Sequence, residues 1–510
     1  MEVDQGRTPV LPDNGIVNIH ADLNKDEILV GGEDILGNED HNIGAETTGM
    51  PAVPDEVDKY KKIRIRIGTL LKADNVSFLL GAGCSVDAGG ITFRNVPYTV
   101  EKSLLEEGHF GKGSRKWLHT FYACVRAFAD SGFKGNTTAN ERAFLSALNA
   151  KRLVPEKRRR LLRDESINEH VLPEEPEELD NSLHTYLLPI NFEALMSAIQ
   201  IWEQAASCGN TNIRIGSQVG FETVEKLREI SCRLRQVLAN ACRLPLEHKE
   251  NALLTYRQML RKVLTRPLNL RRISYFTLNY DTLLEQAADA EGITLVDGFV
   301  GTLRRTFRPE SYDRDFYFPA QTTEGRVHRL DRVVHLHKLH GSVTWCRADE
   351  TDDNPFGLCS DPRGPENPGQ DVVIFPTPLK YGATLGMPYS EMFRRFGQIV
   401  AQPQSVLFVI GYGFGDEHVN ATIRQALAIP SLTLVIVARA TPSAFVDRLI
   451  RCKDKRIWIL RGSGIGSFKQ FVETLLPDLR DEEVERQVLK TYKALDPRYR
   501  PGDDGVEDVK

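Results

Sequence analysis

No two of the eight cysteines stand as a Cys-x-x-Cys pair; they fall singly at 84, 124, 208, 232, 242, 346, 359 and 452 along 510 residues. That scatter excludes a disulfide framework and a four-thiolate zinc site, and it predicts reduced, small, buried side chains. A basic excess is also missing. With a formal charge of -5, the chain as a whole is not built to bind nucleic acid. There is no run of eighteen apolar residues, and the N-terminus is acidic and polar, so neither a membrane span nor a signal peptide is expected. The protein reads as cytoplasmic. Aromatics are absent from residues 1–55, where glycine, proline and acidic side chains abound. Such a segment cannot bury enough surface to offset the ordering of its chain and is predicted to be disordered.

What remains has an ordinary globular composition, 41% apolar, and length enough for two or three domains' worth of core. Short β-branched or apolar runs recur at 76–80, 273–278, 333–336, 372–375, 406–410, 432–437 and 457–460. Near-continuous apolar strands between helical patterns predict an α/β fold, a doubly wound parallel sheet covered on both faces. The first two runs lie about 190 residues apart, and the stretch between them is dominated by helical patterns such as "FEALMSAIQIWEQAA" and "FETVEKLREISCRLRQVLANACRL". No crossover needs that length, so a large helical insertion is expected over 97–268. The α/β domain then comprises 56–96 and 269–480, with a C-terminal helix and disordered tail over 481–510. Within the insertion, "KRLVPEKRRRLLRDE" is followed by the acidic "PEEPEELD", and the pair reads better as solvated helix faces than as a phosphate-backbone contact.

Ligands of open α/β sheets sit beyond the carboxyl ends of the strands, which directs attention to the residues that follow each run. After the first come Gly81, Ala82, Gly83, Cys84 and Ser85, a turn that would let backbone N–H groups approach a pyrophosphate, although a plain strand-to-helix turn also fits. After the second comes "TLNYD", whose Asn279 and Asp281 share a side of an extended segment; Asp281 would equally serve as a helix cap. His340 precedes Gly341 after the third, with His335 and His337 on the same run as decoys, and a lone histidine is more often structural than catalytic. "GYGFGDEHVN" follows a later run with Gly411, Gly413, Gly415, Asp416 and His418, for which a glycine turn capped by Asp416 is the simpler reading.

Order and spacing carry more than any one motif. "GAGCSVDAGGITFR" resembles, without a gap, the sirtuin signature Gly-Ala-Gly-Ile-Ser-x-x-Ala-Gly-Ile-Pro-Asp-Phe-Arg; "TLNYD" resembles its Thr-Gln-Asn-x-Asp and "KLHGS" its His-Gly segment. The resemblance covers roughly Lys72 to Pro477 with the insertion set aside, and implies a Rossmann-like sirtuin core that takes NAD+ as substrate. On that resemblance the glycine loop from Gly81 cradles the pyrophosphate, and Phe93 and Arg94 cover the nicotinamide ribose. Asn279 and Asp281 flank nicotinamide and its ribose, and His340 is the general base. Gly411, Gly413 and Asp416 lie near the adenosine ribose, with Gly462 and Ser463 closing over the adenine.

Three departures shift the expected activity. Only Cys346 and Cys359 follow the His-Gly segment, so the structural zinc of sirtuin deacylases is not expected, nor is any other metal. Pro376 stands in "VVIFPTPLKY", the place where those deacylases add a peptide strand, and proline cannot donate to such a ladder. Ile91-Thr92 replaces the Pro-Asp of the signature. With the insertion and "GYGFGDEHVN", the chain is similar to sirtuin-like effectors of bacterial antiphage defence. That similarity implies an NAD+ glycohydrolase giving nicotinamide and ADP-ribose, acting as a homo-oligomer or with a partner such as a HerA-type ATPase, an Argonaute or a nucleotide-sensing module. A deacylase or ADP-ribosyltransferase, and a non-catalytic NAD or ADP-ribose sensor, remain open alternatives.

Overall fold

The protein is described here by a computed structural model. It describes residues 26–35, 60–91, 192–208, 224–244, 250–319, 327–363, 387–439 and 443–480, with isolated positions between 96 and 128 and at 491. The expected strand at 372–375, the charge runs from Lys151 and Pro173, and nearly all of the 481–510 tail lie outside these residues.

Fifteen strands form among the described residues, of which β6 (Phe299–Val300), β7 (Arg305–Phe307), β8 (Tyr317–Pro319), β9 (Val327–Arg329) and two later ones belong to smaller sheets. The other nine build the main sheet: β1 (Glu27–Val30), β2 (Glu33–Asp34), β3 (Asn75–Leu80), β4 (Ser274–Thr277), β5 (Thr294–Val296), β10 (Val333–Lys338), β13 (Ser405–Ile410), β14 (Thr433–Ala438) and β15 (Ile457–Arg461). Their order is β2-β1-β15-β14-β13-β3-β4-β10-β5. All neighbours from β15 to β5 run parallel, and β1 and β2 close one edge antiparallel. From β3 the chain winds outward through β4, then returns to β13 on the other side of β3. The order thus reverses at β3, and a crevice opens there at the carboxyl ends.

The doubly wound arrangement follows from two apolar layers. One contains Phe78, Tyr275 and Phe408, whose rings stack at 5.2 and 5.0 Å, under α1 (Lys61–Leu71) and the turns around Phe471. The other face buries Leu79, Phe276, Leu407 and Val409. Two further helices of the inserted segment, α2 (Phe192–Ser207) and α3 (Val224–Cys242), pack on one another. The next, α4 (Glu250–Val263), behaves differently. Its Tyr256, Met259, Leu260 and Val263 belong to the first core layer beside α5 (Leu283–Glu291), and Lys262 donates to the carbonyls of Val472 and Leu476. The last helix of the 97–268 segment is therefore part of the sheet's cover. Length alone assigns it to the insertion.

A second correction concerns residues 26–35, which composition places in the disordered N-terminal segment. "EILV" is a short apolar run inside that segment, and Ile28 and Leu29 are buried when β1 pairs with β15. Asp26 accepts from the Gly464 amide, and Arg461 pairs with Glu27 at 2.5 Å.

β10 extends two residues beyond the sequence-based run, which makes His337 a strand residue. Its ring stacks between Phe276 at 4.7 Å and Tyr312 at 4.2 Å, and it is wholly buried. Neither ring nitrogen has a hydrogen-bond partner among the described residues, an arrangement that costs about 1–3 kcal/mol for each unmet group. Burial pushes the His337 imidazole well below its ordinary range, and burial, with Arg272 and Arg395 nearby, lowers His335 to about 4.

Two outcomes are expected. Ile28→Ala should destabilise the sheet edge by about 2–5 kcal/mol, read as a drop in denaturant midpoint, whereas Leu303→Ala at a fully exposed position should change it by less than about 0.5 kcal/mol. Between about pH 6.5 and 4 the unfolded chain binds a proton at position 335 that the folded chain refuses. Stability from His335 is thus fully present above about 6.5 and is lost as pH falls to about 4. Thermal unfolding of His335→Gln across that window should be less acid-sensitive than that of the wild type.

Candidate functional site

At the crevice two glycine turns meet backbone to backbone. The Gly81 amide donates to Ile410 O at 2.9 Å and the Gly83 amide to Gly411 O at 2.9 Å. A Cβ on Gly81 would lie 2.5 Å from Gly411 O, and one on Gly411, whose φ is +65°, would lie 2.7 Å from the Cys84 amide. Close approach of two main chains, rather than turn geometry alone, requires glycine at these positions. The amides of Cys84 and Ser85 bond back to Gly81 O and Ala82 O, which leaves Ala82 as the amide of this turn with no backbone acceptor among the described residues. Cys84 Sγ donates to Ile410 O, and burial pushes its thiol up, so it is a packing residue rather than a nucleophile.

The turn delivers Ser85 to the loop after β4. Ser85 Oγ donates to Asp281 Oδ2 at 2.6 Å, and Asn279 Nδ2 donates to Ser85 Oγ and to Gly81 O, both at 3.0 Å. Asp281 Oδ1 accepts from the Leu283 amide at the start of α5. It is therefore both a helix cap and a member of this cluster. All three side chains are buried. Asn279 and Asp281 flank a cavity of about 50 Å³, the size of a ring fragment rather than of a whole dinucleotide. Ala82, Ser85, Gly90 and Ile91 line it from the glycine turn, and Leu238, Cys242 and Leu244 from α3 and its end.

His340 follows β10 and turns at Gly341, whose φ is +90°. Its ring lies 6.4 Å from that of Tyr280, and Nε2 is 3.0 Å from Asp416 Oδ2. A carboxylate only accepts, so Asp416 takes the Nε2 hydrogen and leaves Nδ1 as the ring's basic position. Asp416 also caps α6 (Glu417–Ala426), accepting from the His418 and Val419 amides. Beyond Gly411 the turn opens: a Cβ on Gly413 or Gly415 would touch nothing among the described residues within 4 Å. Gly462 (φ +128°) and exposed Ser463 follow β15, two strands further on. Phe93 and Arg94 lie outside the described residues.

Residues 273–453 match the family model of the SIR2-like domain. The chain carries a SIR2-like domain. No curated protein matches the chain. The matched span holds Asn279, Asp281, His340 and Asp416, while the turn from Gly81 stands before it in sequence. In space the SIR2-like domain is continuous with that turn, because β3 lies between β13 and β4. SIR2-like domains use NAD+.

Several contributors carry no motif. Lys338, buried at the end of β10, pairs with Glu285 at 2.9 Å and donates to the Asp281 carbonyl, tying the "TLNYD" loop to the neighbouring strand. Burial raises the Glu285 carboxyl against the pull of Lys338. A lysine at the end of the strand run "VVHLHKL" is the available signal. Tyr256 approaches Ser85 Oγ at 3.5 Å from α4, and burial keeps it a neutral phenol; nothing in a helix 171 residues away announces it. Cys346 and Cys359 face one another across β11 (Trp345–Arg347) and β12 (Leu358–Ser360), and burial, then Cys359, pushes the Cys346 thiol up to about 12.

The double duty of Asp416 can be separated. Asp416→Ala should lose about 0.5–2 kcal/mol through the missing cap, read from thermal unfolding. Asp416→Ser keeps a capping oxygen and removes the carboxylate from His340. It should hold stability yet alter the His340 ring signals in NMR.

Proposed function

We propose that the chain is an NAD+ glycohydrolase, cleaving the bond between nicotinamide and ribose to give nicotinamide and ADP-ribose. The observation that carries this reading is the wall of the cavity at Asn279 and Asp281. Leu238, Cys242 and Leu244 of the inserted segment close it, so the space beside the reacting centre suits a water molecule better than an acyl-lysine chain. The cross-strand pair Cys346–Cys359 supplies two thiols where a closed zinc site needs four ligands.

Departure of nicotinamide takes the C1′–N bonding pair onto the pyridinium nitrogen and leaves oxocarbenium character at C1′. The Asp281 carboxylate and the Asn279 carbonyl oxygen stabilise that charge, with Ser85 holding both side chains in place. Water adds to C1′, and its proton passes to His340, oriented by Asp416, and on to solvent. In cells such an activity would deplete NAD+, in keeping with a role in antiphage defence. We extend the reading to a homo-oligomer that works with a partner such as a HerA-type ATPase. No helix among the described residues is long and apolar enough to cross a membrane.

Purified protein, alone and with its genomic neighbours, should release nicotinamide and ADP-ribose from NAD+ without an acyl-lysine or protein acceptor. Strict dependence on an acylated peptide would return the deacylase, and binding without turnover the sensor. Asn279→Ala and His340→Ala should each bind NAD+ nearly normally and lower single-turnover rates by about 10² to 10⁴. If both act on one water, the double variant should resemble the worse single variant.

A further inference from the structure

At the opposite, amino-terminal end of the same strands, the sheet interrupts its apolar interior with a row of polar side chains. Ser77 is paired with Ser274 in the register, and Ser274 with His335, so the three stand side by side on one face. Both serines are buried. Asn75 and His337, two residues away along their strands, share that face. The row opens into a cavity of about 340 Å³, within the range of small-molecule sites and larger than the one at Asn279.

Five arginines line this cavity, Arg271, Arg272, Arg314, Arg329 and Arg395, against two aspartates. Asp315 is shared by Arg272 and Arg329, and Arg395 is met by Asp313 and by Glu391 of its own helix. Arg271 donates to Gln402, and neither it nor Arg314 has a carboxylate partner among the described residues. The lining is thus under-neutralised, and guanidinium groups in such surroundings fit the oxygens of a phosphate. His337 supplies the second observation. It lines the cavity, is wholly buried, and has a ring donor and a ring acceptor without partners among the described residues. Buried polar atoms are seldom left so, and a group brought into the cavity would answer them.

We propose that this cavity is a second binding site, for a small phosphate monoester of sugar-phosphate to mononucleotide size, separate from the dinucleotide site at the carboxyl ends. The arginines hold the phosphate, and the serine–histidine row meets the hydroxyl groups of the sugar. The site does not depend on the activity proposed above.

The test is a titration of the full chain, carrying ring-labelled histidine, with ribose 5-phosphate, followed by proton–carbon correlation NMR. His335 and His337 are identified by His335→Gln and His337→Gln, or in the wild type as the rings that stay neutral well below pH 6.5. Their signals should shift saturably at one ligand per chain and should not respond to adenosine, which lacks the phosphate. Arg271→Ala should weaken the interaction at least tenfold. Unmoved His335 and His337 signals at millimolar ribose 5-phosphate would overturn the site, as would wild-type affinity in Arg271→Ala. A response to citrate at lower concentration than to ribose 5-phosphate would overturn the phosphate assignment.

Discussion

The contact on which the site depends is that between two main chains, the turn after β3 and the turn after β13, which approach too closely for any side chain to stand between them. Parallel pairing of β3 with β13 over six residues sets this approach, and the Gly81 and Gly83 amides lock it. Everything nearer the chemistry inherits its position from there. Ser85 leaves the first turn already aimed at Asp281, and Asp416 leaves the second aimed at His340. Either turn displaced by the width of a methyl group would disconnect its partner.

Around that junction the protein uses long-range polar anchors to hold short loops. Lys338 ties the Asn279 loop to β10, and Arg266 donates to the Leu71 and Ala73 carbonyls near the start of β3. Burial lowers the Arg266 guanidinium to about 10, still well above neutrality, so it remains a cation. The inserted segment joins the same scheme. α4 belongs to the core and brings Tyr256 to Ser85, while α3 walls the cavity. The insertion is thereby part of the site's construction.

Much of this was legible in the sequence because the signals were local. Six of the seven apolar runs are strands within a residue or two of their expected bounds, since buried parallel strands need continuous apolar residues. The seventh lies outside the described residues. Asn279, Asp281 and Ser85 converge, and the order of three motifs had placed them on one site. What escaped was non-local. β1 is four residues long in a polar segment and becomes a strand only because β15 offers an edge. Lys338, Tyr256 and the arginine-lined cavity arise from register and packing between segments far apart, for which a single sequence has no periodic signature. In the sequence the glycines read as room for phosphate; the structure adds that Gly81, Gly83 and Gly411 make room for one another.

On the proposed reading the dinucleotide is held at the junction of the two glycine turns, with Ser85, Asn279 and Asp281 beside it. A crystal structure with a carbocyclic NAD+ analogue, which cannot be cleaved, tests it most directly. The pyrophosphate is expected against the turns at Gly81 and Gly411, and the nicotinamide end between Asn279 and Asp281 with His340 within reach of the ribose. An analogue bound at the amino-terminal end of the sheet, or with its nicotinamide away from Asn279, would contradict it.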